Sequence, residues 1–129
     1  MHRILVTFLA FLLLAACQKK PDFTVKVLIG ATTIPAADEP RIEDSVVVIS
    51  GKKIRAVGAR KDTPVPQASD RTDLAGEWIV PAEGSRIEAG ETANLLILKH
   101  APNGLTPAAP ADIGARIIAG DWATVNIRR

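Results

Sequence analysis

The feature that most constrains the fold is a strand–turn–strand pattern near residue 50. Val46 to Ile49 is a run of β-branched residues, and Lys53 to Val57 returns as a second strand-like segment. Gly51 and Lys52 lie between them, and glycine at the first position of a two-residue loop suits a type II′ or I′ turn. The pattern predicts a β-hairpin.

Other short strands are predicted on both sides of this hairpin. Phe23 to Ile29 alternates, which is typical of a half-buried strand with Leu28 on the opposite face from Val25 and Val27. The remaining predicted strands are two around Gly76 in "RTDLAGEWIVP", one over Asn94 to Leu98, and a second hairpin in "ARIIAGDWATVNIR" that turns at Gly120-Asp121. Proline-rich stretches such as "ARKDTPVPQASD" and "HAPNGLTPAAPAD" predict loops between them.

The fold class follows from these short strands. After the first 16 residues no helical period of ten or more residues occurs, so we predict an all-β domain, a sandwich or a small barrel. Two Trp and three Phe are present, so aliphatic side chains must fill most of the core. Trp78 and Trp122 could form ligand platforms, but we predict that each closes the core from a strand end.

The amino terminus has the pattern of a lipoprotein signal. A short basic start with Arg3 precedes an apolar run of 13 residues, Ile4 to Ala16, whereas a membrane-spanning helix needs roughly 20. The run ends in "LAAC", which resembles a bacterial lipobox with cleavage between Ala16 and Cys17 and lipidation of Cys17. The alternatives are a plain signal peptide with a coincidental cysteine, or a short buried helix. Cys17 is the single cysteine of the chain and stands at the position that the motif demands.

This interpretation divides the chain into a signal peptide (1–16), a lipidated cysteine with a polar tether (17–22) and one domain (23–129). Cleavage leaves 113 of the 129 residues, with 15 basic and 14 acidic side chains, so nucleic-acid binding is not expected. The lipid on Cys17 would anchor the domain to a membrane of the bacterial cell envelope, facing the periplasm. Gln18 after the cysteine favours the outer membrane if the host is Gram-negative.

The sequence predicts no catalytic residue, no metal ligand and no cofactor. His100 is the one histidine after the signal, and zinc sites need three or four protein ligands. A serine nucleophile would have to use His100 as its base, and no nucleophile elbow occurs around any of Ser45, Ser50, Ser69 and Ser85. The central acids could form a catalytic pair, but they alternate with Arg71 and Arg86 as in solvated loops; they are Asp70, Asp73, Glu77, Glu83, Glu88 and Glu91.

Two stretches of the chain resemble the segments that flank the catalytic barrel in the amidohydrolase superfamily, in its imidazolonepropionase- and dihydroorotase-like groups. The first stretch runs from Ile29-Gly30-Ala31 through Ile42-Glu43-Asp44 and Val57-Gly58 to "DLAGEWIVP", with Ser45 where glycine is common. The second comprises "RIEAGETANLLIL", with Asn94 where aspartate is usual, and "ARIIAGDWAT". The order of these pieces over about 100 residues carries the resemblance.

The resemblance implies a composite β-sandwich without its barrel. In the family, the proline that matches Pro81 is followed by a strand with two metal-binding histidines that opens a (β/α)₈ barrel of about 200 residues or more. In this chain, Pro81 is followed almost at once by the segment that begins at Ile87. The family's metal ligands have no counterparts, so catalysis does not carry over. The face that would pack on a barrel should then seek a partner, and Val46 to Ile49, apolar on both faces, is a candidate for it.

Three functions are compatible with the sequence. The first is a lipid-anchored, non-catalytic β-sandwich module in binding or assembly. The second is a part of a hydrolase of non-peptide carbon–nitrogen bonds whose metal-binding barrel comes from another chain. The third is a decayed remnant without function. Asn94 and the irregular "AEGSR" junction favour this alternative, because both depart from the family's pattern. The expected partners are the membrane through Cys17, and either a second copy of the chain or a barrel-containing chain.

Overall fold

The computed structural model describes residues 25–102 and 112–123, in which nine strands form two sheets. The predictions for Cys17, the signal peptide, the tether and Phe23 concern residues outside these ranges. No α-helix is found in the described residues, and the all-β prediction is confirmed. The strands are β1 (Val25–Ile29), β2 (Thr32–Thr33), β3 (Ser45–Ser50), β4 (Lys53–Ala59), β5 (Asp70–Asp73), β6 (Trp78–Pro81), β7 (Leu95–Leu98), β8 (Ile113–Ile118) and β9 (Asp121–Ala123).

The first sheet has the order β4-β3-β1-β5, and the second has the order β2-β6-β7-β8-β9. Most neighbours are antiparallel, but β1 pairs with β5 and β2 pairs with β6 in parallel. Both parallel pairs come from the same two chain segments. One segment forms β1 in the first sheet and β2 in the second, and the other forms β5 in the first sheet and β6 in the second. Leu74 N donates to Ile29 O at 2.7 Å and Thr32 N donates to Glu77 O at 3.0 Å, so the segments stay bonded across the bend.

Glycine makes the first of these crossings feasible. Gly30 has φ of 92°, and a Cβ there would lie 3.3 Å from the backbone nitrogen of Ala75 and 3.1 Å from Arg60 Nη2. A side chain at this position would therefore be strained and crowded at once. The bend lets one continuous segment contribute strands to both sheets.

The main core lies between the two sheets, which makes the domain a β-sandwich. Leu28, Val47 and Ile49 of the first sheet and Ile79 and Ile97 of the second are all fully buried in one cluster. Aliphatic side chains fill this core, as the composition predicted.

The outer face of the first sheet is also buried, and this corrects two predictions. Strand β1 is not half-buried, because Leu28 joins the main core while Val25 and Val27 join Val46 and Val48 in a second cluster. The run Val46 to Ile49 was expected to need an external cover, yet its residues are at most 2% exposed within the chain. Ile29, Ala56 and Val65 pack against the second cluster, so the chain itself covers this run.

Both predicted hairpins form, but the second turns one residue earlier than expected. In the first, Gly51 has φ of 61°, and Ser50 pairs with Lys53 across the two-residue loop. In the second, Ile118 pairs with Asp121, so the turn residues are Ala119 and Gly120, not Gly120 and Asp121. Their φ values of 49° and 83° correspond to a type I′ turn, which places the glycine second.

Candidate functional site

The two strands on either side of residues 82–94 are neighbours in the second sheet. Pro81, the last residue of β6, lies directly opposite Leu95, the first residue of β7, and Ala82 N donates to Asn94 O at 2.9 Å. The strands that flank the predicted gap are therefore neighbours in one sheet. Residues 82–94 have only to leave this sheet and return to it.

The junction segment 82–94 is bonded to the rest of the domain along its length. Ile87 is 1% exposed and belongs to the main core, and its N–H donates to Pro35 O at 3.0 Å. Further along, Gly90 N donates to Ile54 O and Ala93 N donates to Lys52 O, both at 2.8 Å. The irregular junction is thus an integrated part of the sandwich.

Several turns meet at the end of the sandwich that the tether would join, and we call this the tether end. Strand β1 begins there, with Val25 opposite Ser50. The turn at Gly51 touches the turn at Gly120 so closely that a Cβ on Gly120 would overlap the Gly51 carbonyl. Lys26 Nζ reaches Asp121 Oδ1 at 3.4 Å across the two sheets. The tether end therefore comprises the start of β1, both hairpin turns and the junction segment.

Ser45, the most buried of the four candidate serines, has a structural role. Its hydroxyl donates to Ala31 O at 2.6 Å, so the Thr33 hydroxyl, 2.7 Å away, must donate to Ser45 Oγ. Both side chains are completely buried, and the two hydroxyls satisfy each other where the first crossing segment packs on β3. Asp44, immediately before, takes the left-handed conformation with φ of 47°.

The other predicted candidates are dispersed over the surface. His100 and Ser50 are exposed, and Ser69 donates to Pro66 O at 2.6 Å. Among the acids, Asp73 accepts from the backbone N–H of Ala75 at 3.0 Å, as in an Asx turn. Arg86 contacts Glu39 at 2.6 Å and Glu88 at 3.6 Å.

No cluster of three or more His, Cys, Asp or Glu side chains suited to a metal ion occurs in residues 25–102 and 112–123. Within the same residues no helix is long and apolar enough to cross a membrane.

The two tryptophans differ, and the prediction for one of them is wrong. Trp78 is half-buried against Val80, Leu98 and Ile113, and the guanidinium carbon of Arg41 lies 5.9 Å from its ring centroid. Trp122 is 37% exposed, and its strand, β9, lies at the edge of the second sheet in the described part of the chain.

Ile118, at 51% exposure, is a residue that the sequence analysis missed. Its exposure could have been predicted from the sequence, because Ile117 and Ile118 are adjacent in a strand and only one of them can face the core.

The described part of the chain thus defines a small all-β protein with two packed sheets. No protein-family model matches it, and no curated protein matches it. Solved structures match part of it.

Molinate hydrolase is similar at 23% identity over 46% of this chain and 13% of its own, with a TM-score of 0.40. Guanine deaminase of E. coli is similar at 20% identity over 46% of this chain and 17% of its own, also with a TM-score of 0.40. A triazine hydrolase variant is similar at 30% identity over 45% of this chain and 13% of its own, with a TM-score of 0.39.

These structural neighbours are enzymes of the amidohydrolase superfamily. The chain spans less than a fifth of the length of each. At such coverage and scores the likeness supports no conclusion about activity, and membership of the family stays a prediction from the sequence motifs.

Proposed function

We propose that this chain is a small β-sandwich module of the bacterial cell envelope, derived from an amidohydrolase, that acts in binding or assembly and not in catalysis. The pairing of Pro81 with Leu95 is the observation that carries the proposal. Where the family would insert its barrel, this chain returns to the same sheet after residues 82–94.

The closed junction supports a self-contained module. A sandwich that had merely lost its barrel would expose the apolar surface on which the barrel had packed. Here the junction segment places Ile87 in the main core and bonds its backbone to Pro35 and Ile54. Such a segment stabilises the domain that it closes, which argues against the remnant alternative.

The roles of the polar side chains support a non-catalytic function. The hydroxyls of Ser45 and Thr33 are hydrogen-bonded inside the core: Thr33 donates to Ser45, and Ser45 donates to Ala31 O. Arg86 forms ion pairs with Glu39 and Glu88 at the surface. A nucleophile or a general base needs a partner that activates it, and these groups have structural partners instead.

The lipobox-like "LAAC" supports attachment of the module to a membrane through Cys17. The first described strand, β1, begins at Val25, so a short polar tether would separate the anchor from this strand. The location that we propose is periplasm-facing, and at the outer membrane in a Gram-negative host because Gln18 follows the cysteine.

The test is to produce the full chain in a Gram-negative bacterium beside a Cys17→Ser variant. We expect the unaltered chain in the membrane fraction, with a diacylglyceryl group on an amino-terminal Cys17 in the mass spectrum, and no such group on the variant. An unmodified Cys17 would overturn the anchor.

Measurements on the purified lipoprotein then distinguish a binding module from a hydrolase. Elemental analysis should find no stoichiometric zinc, and amide and cyclic amide substrates should not be hydrolysed. Metal-dependent hydrolysis, by the chain alone or together with a co-purifying barrel protein, would replace the binding module with the hydrolase alternative.

A further inference from the structure

We propose that the tether end of the sandwich lies against the surface of the lipid bilayer, with the tip of the β8–β9 hairpin in contact with the headgroups. This inference rests on the lipid anchor of the proposed function and deepens it. It assigns a membrane-contacting surface to Ile118 and Trp122, with Lys52 and Lys53 beside them.

The apolar part of this surface is the hairpin tip. Ile118 is 51% exposed and Trp122 is 37% exposed, and they are the exposed large hydrophobic residues of ranges 25–102 and 112–123. They lie on either side of the same turn, Ala119-Gly120, and on opposite faces of the hairpin, because Ile118 pairs with Asp121 and Trp122 pairs with Ile117. Both therefore meet the headgroups when the hairpin approaches the membrane end-on. Tryptophan is enriched at membrane–water interfaces, because its ring is apolar and its indole N–H can bind a polar headgroup.

The tether brings this tip to the membrane. Strand β1 begins at Val25, opposite Ser50, so a chain that arrives from Cys17 joins the sandwich beside the turn at Gly51. That turn contacts the tip at Gly120. The eight steps from Cys17 to Val25 span at most about 28 Å even when fully extended. The anchor therefore confines the tip to the neighbourhood of the headgroups, where even a weak contact is populated.

The charges at this end balance one another. Lys52 and Lys53 are exposed in the turn beside the tip, and Lys53 Nζ lies 3.4 Å from Gly90 O. Lys26 Nζ lies 3.4 Å from Asp121 Oδ1 and offsets the acid that β9 carries at the tip. Glu83, Glu88, Glu91 and Asp121 also lie at this end and balance Lys26, Lys52, Lys53 and Arg86, so Ile118 and Trp122 supply the main attraction.

The two tryptophans provide the probe and its matched control. We would prepare the full lipidated chain as Trp78→Phe, which retains Trp122, and as Trp122→Phe, which retains Trp78. Each protein is reconstituted into vesicles of phosphatidylethanolamine and phosphatidylglycerol, either with ordinary acyl chains or with chains brominated near the carbonyl. Tryptophan emission is then compared between the two kinds of vesicle, and mass spectrometry verifies the lipid on Cys17.

We expect the emission of Trp122 to fall by about half in brominated vesicles, because an interfacial indole lies at the depth of these bromines. The emission of Trp78, which lies under Arg41 at the first position of β6, should be unchanged. Adding Ile118→Ser to the Trp122-only protein should reduce the quenching.

Three outcomes would overturn the proposal, each in a different way. Equal emission of Trp122 in both kinds of vesicle, with Cys17 lipidated, would refute the contact and leave the anchor standing. A blue shift of Trp122 that depends on protein concentration but not on bromine would assign the tip to a second copy of the chain. An unlipidated Cys17 would remove the anchor and the contact together.

Discussion

The side-chain oxygen of Asn94 accepts a hydrogen bond from the backbone N–H of Ala119, 2.8 Å away. This bond joins the start of β7 to the type I′ turn of the β8–β9 hairpin, and Gly120 N donates to the neighbouring Ala93 O at 3.0 Å. Asn94 thus supplies the side-chain acceptor that holds this turn against the start of β7.

Replacing Asn94 by Ala should destabilise the domain by about 1 kcal/mol, since a partly buried N–H of Ala119 would lose its acceptor. Asn94→Asp is the control, because a carboxylate oxygen can accept the same bond. Urea unfolding followed by fluorescence measures both variants. Equal losses of stability in the two variants would show that the hydrogen bond is not what Asn94 contributes.

Gly120→Ala should be more harmful than Gly76→Ala. Both glycines have positive φ, 83° and 85°, so alanine is strained at either position, by about 1–2 kcal/mol. At Gly76 a Cβ would meet nothing within 4 Å, whereas at Gly120 it would overlap the backbone of Gly51 and lie 2.9 Å from the Cα of Lys52. The difference in free energy of unfolding between the two variants measures the contact between the turns. Equal effects would mean that the hairpin tips do not touch in solution.

Ser45→Ala should cost about 1–3 kcal/mol, because it leaves the buried Thr33 hydroxyl and Ala31 carbonyl without their partner. Ser50→Ala, at an exposed position of the same strand, should be close to neutral. A Ser45→Ala/Thr33→Val double variant, analysed as a thermodynamic cycle, should recover part of the loss. Strictly additive effects would contradict a coupled hydroxyl pair.

Ile87→Ala should destabilise the domain by about 2–5 kcal/mol, as expected for a large aliphatic side chain in a packed core. Ile118→Ala removes the same atoms from a half-exposed site and should cost much less. Thermal unfolding compares the two. If Ile87→Ala were as mild as Ile118→Ala, the junction segment would be a loose connection and the self-contained module would lose its main support.

The sequence was most informative where a local pattern determines the structure. The β-branched run before Gly51 predicted its hairpin, and the short segments around Gly76 and after Asn94 became β5, β6 and β7. These elements depend on turn chemistry and on side chains that neighbour one another in the chain. The second hairpin was misplaced by one residue, because the pattern Ala119-Gly120-Asp121 allows glycine as either turn residue and a tertiary acceptor, Asn94, bonds to Ala119.

Burial was harder to predict, because it depends on what lies across from a strand. Alternation in β1 suggested one polar face, yet Leu28 is fully buried in the main core. Val46 and Val48 are covered in part by Val65, which comes from the loop after β4. Trp122 is exposed on β9, an edge strand among the described residues, and composition does not reveal which strand lies at an edge. Such features arise from pairings between segments that are far apart in sequence.

The parallel pairing of β1 with β5 has a consequence for how the chain reaches its native state. Lys26 lies opposite Asp70, and no local hairpin can bring them together, so the first sheet closes only after a long loop has lost its freedom. Chains rich in such distant contacts fold in milliseconds to seconds. In a chain delivered amino terminus first, Leu28 would stay uncovered on the side of the main core until Ile79 and Ile97 had followed it. The interval before that moment is when the protein would be most vulnerable to aggregation and proteolysis.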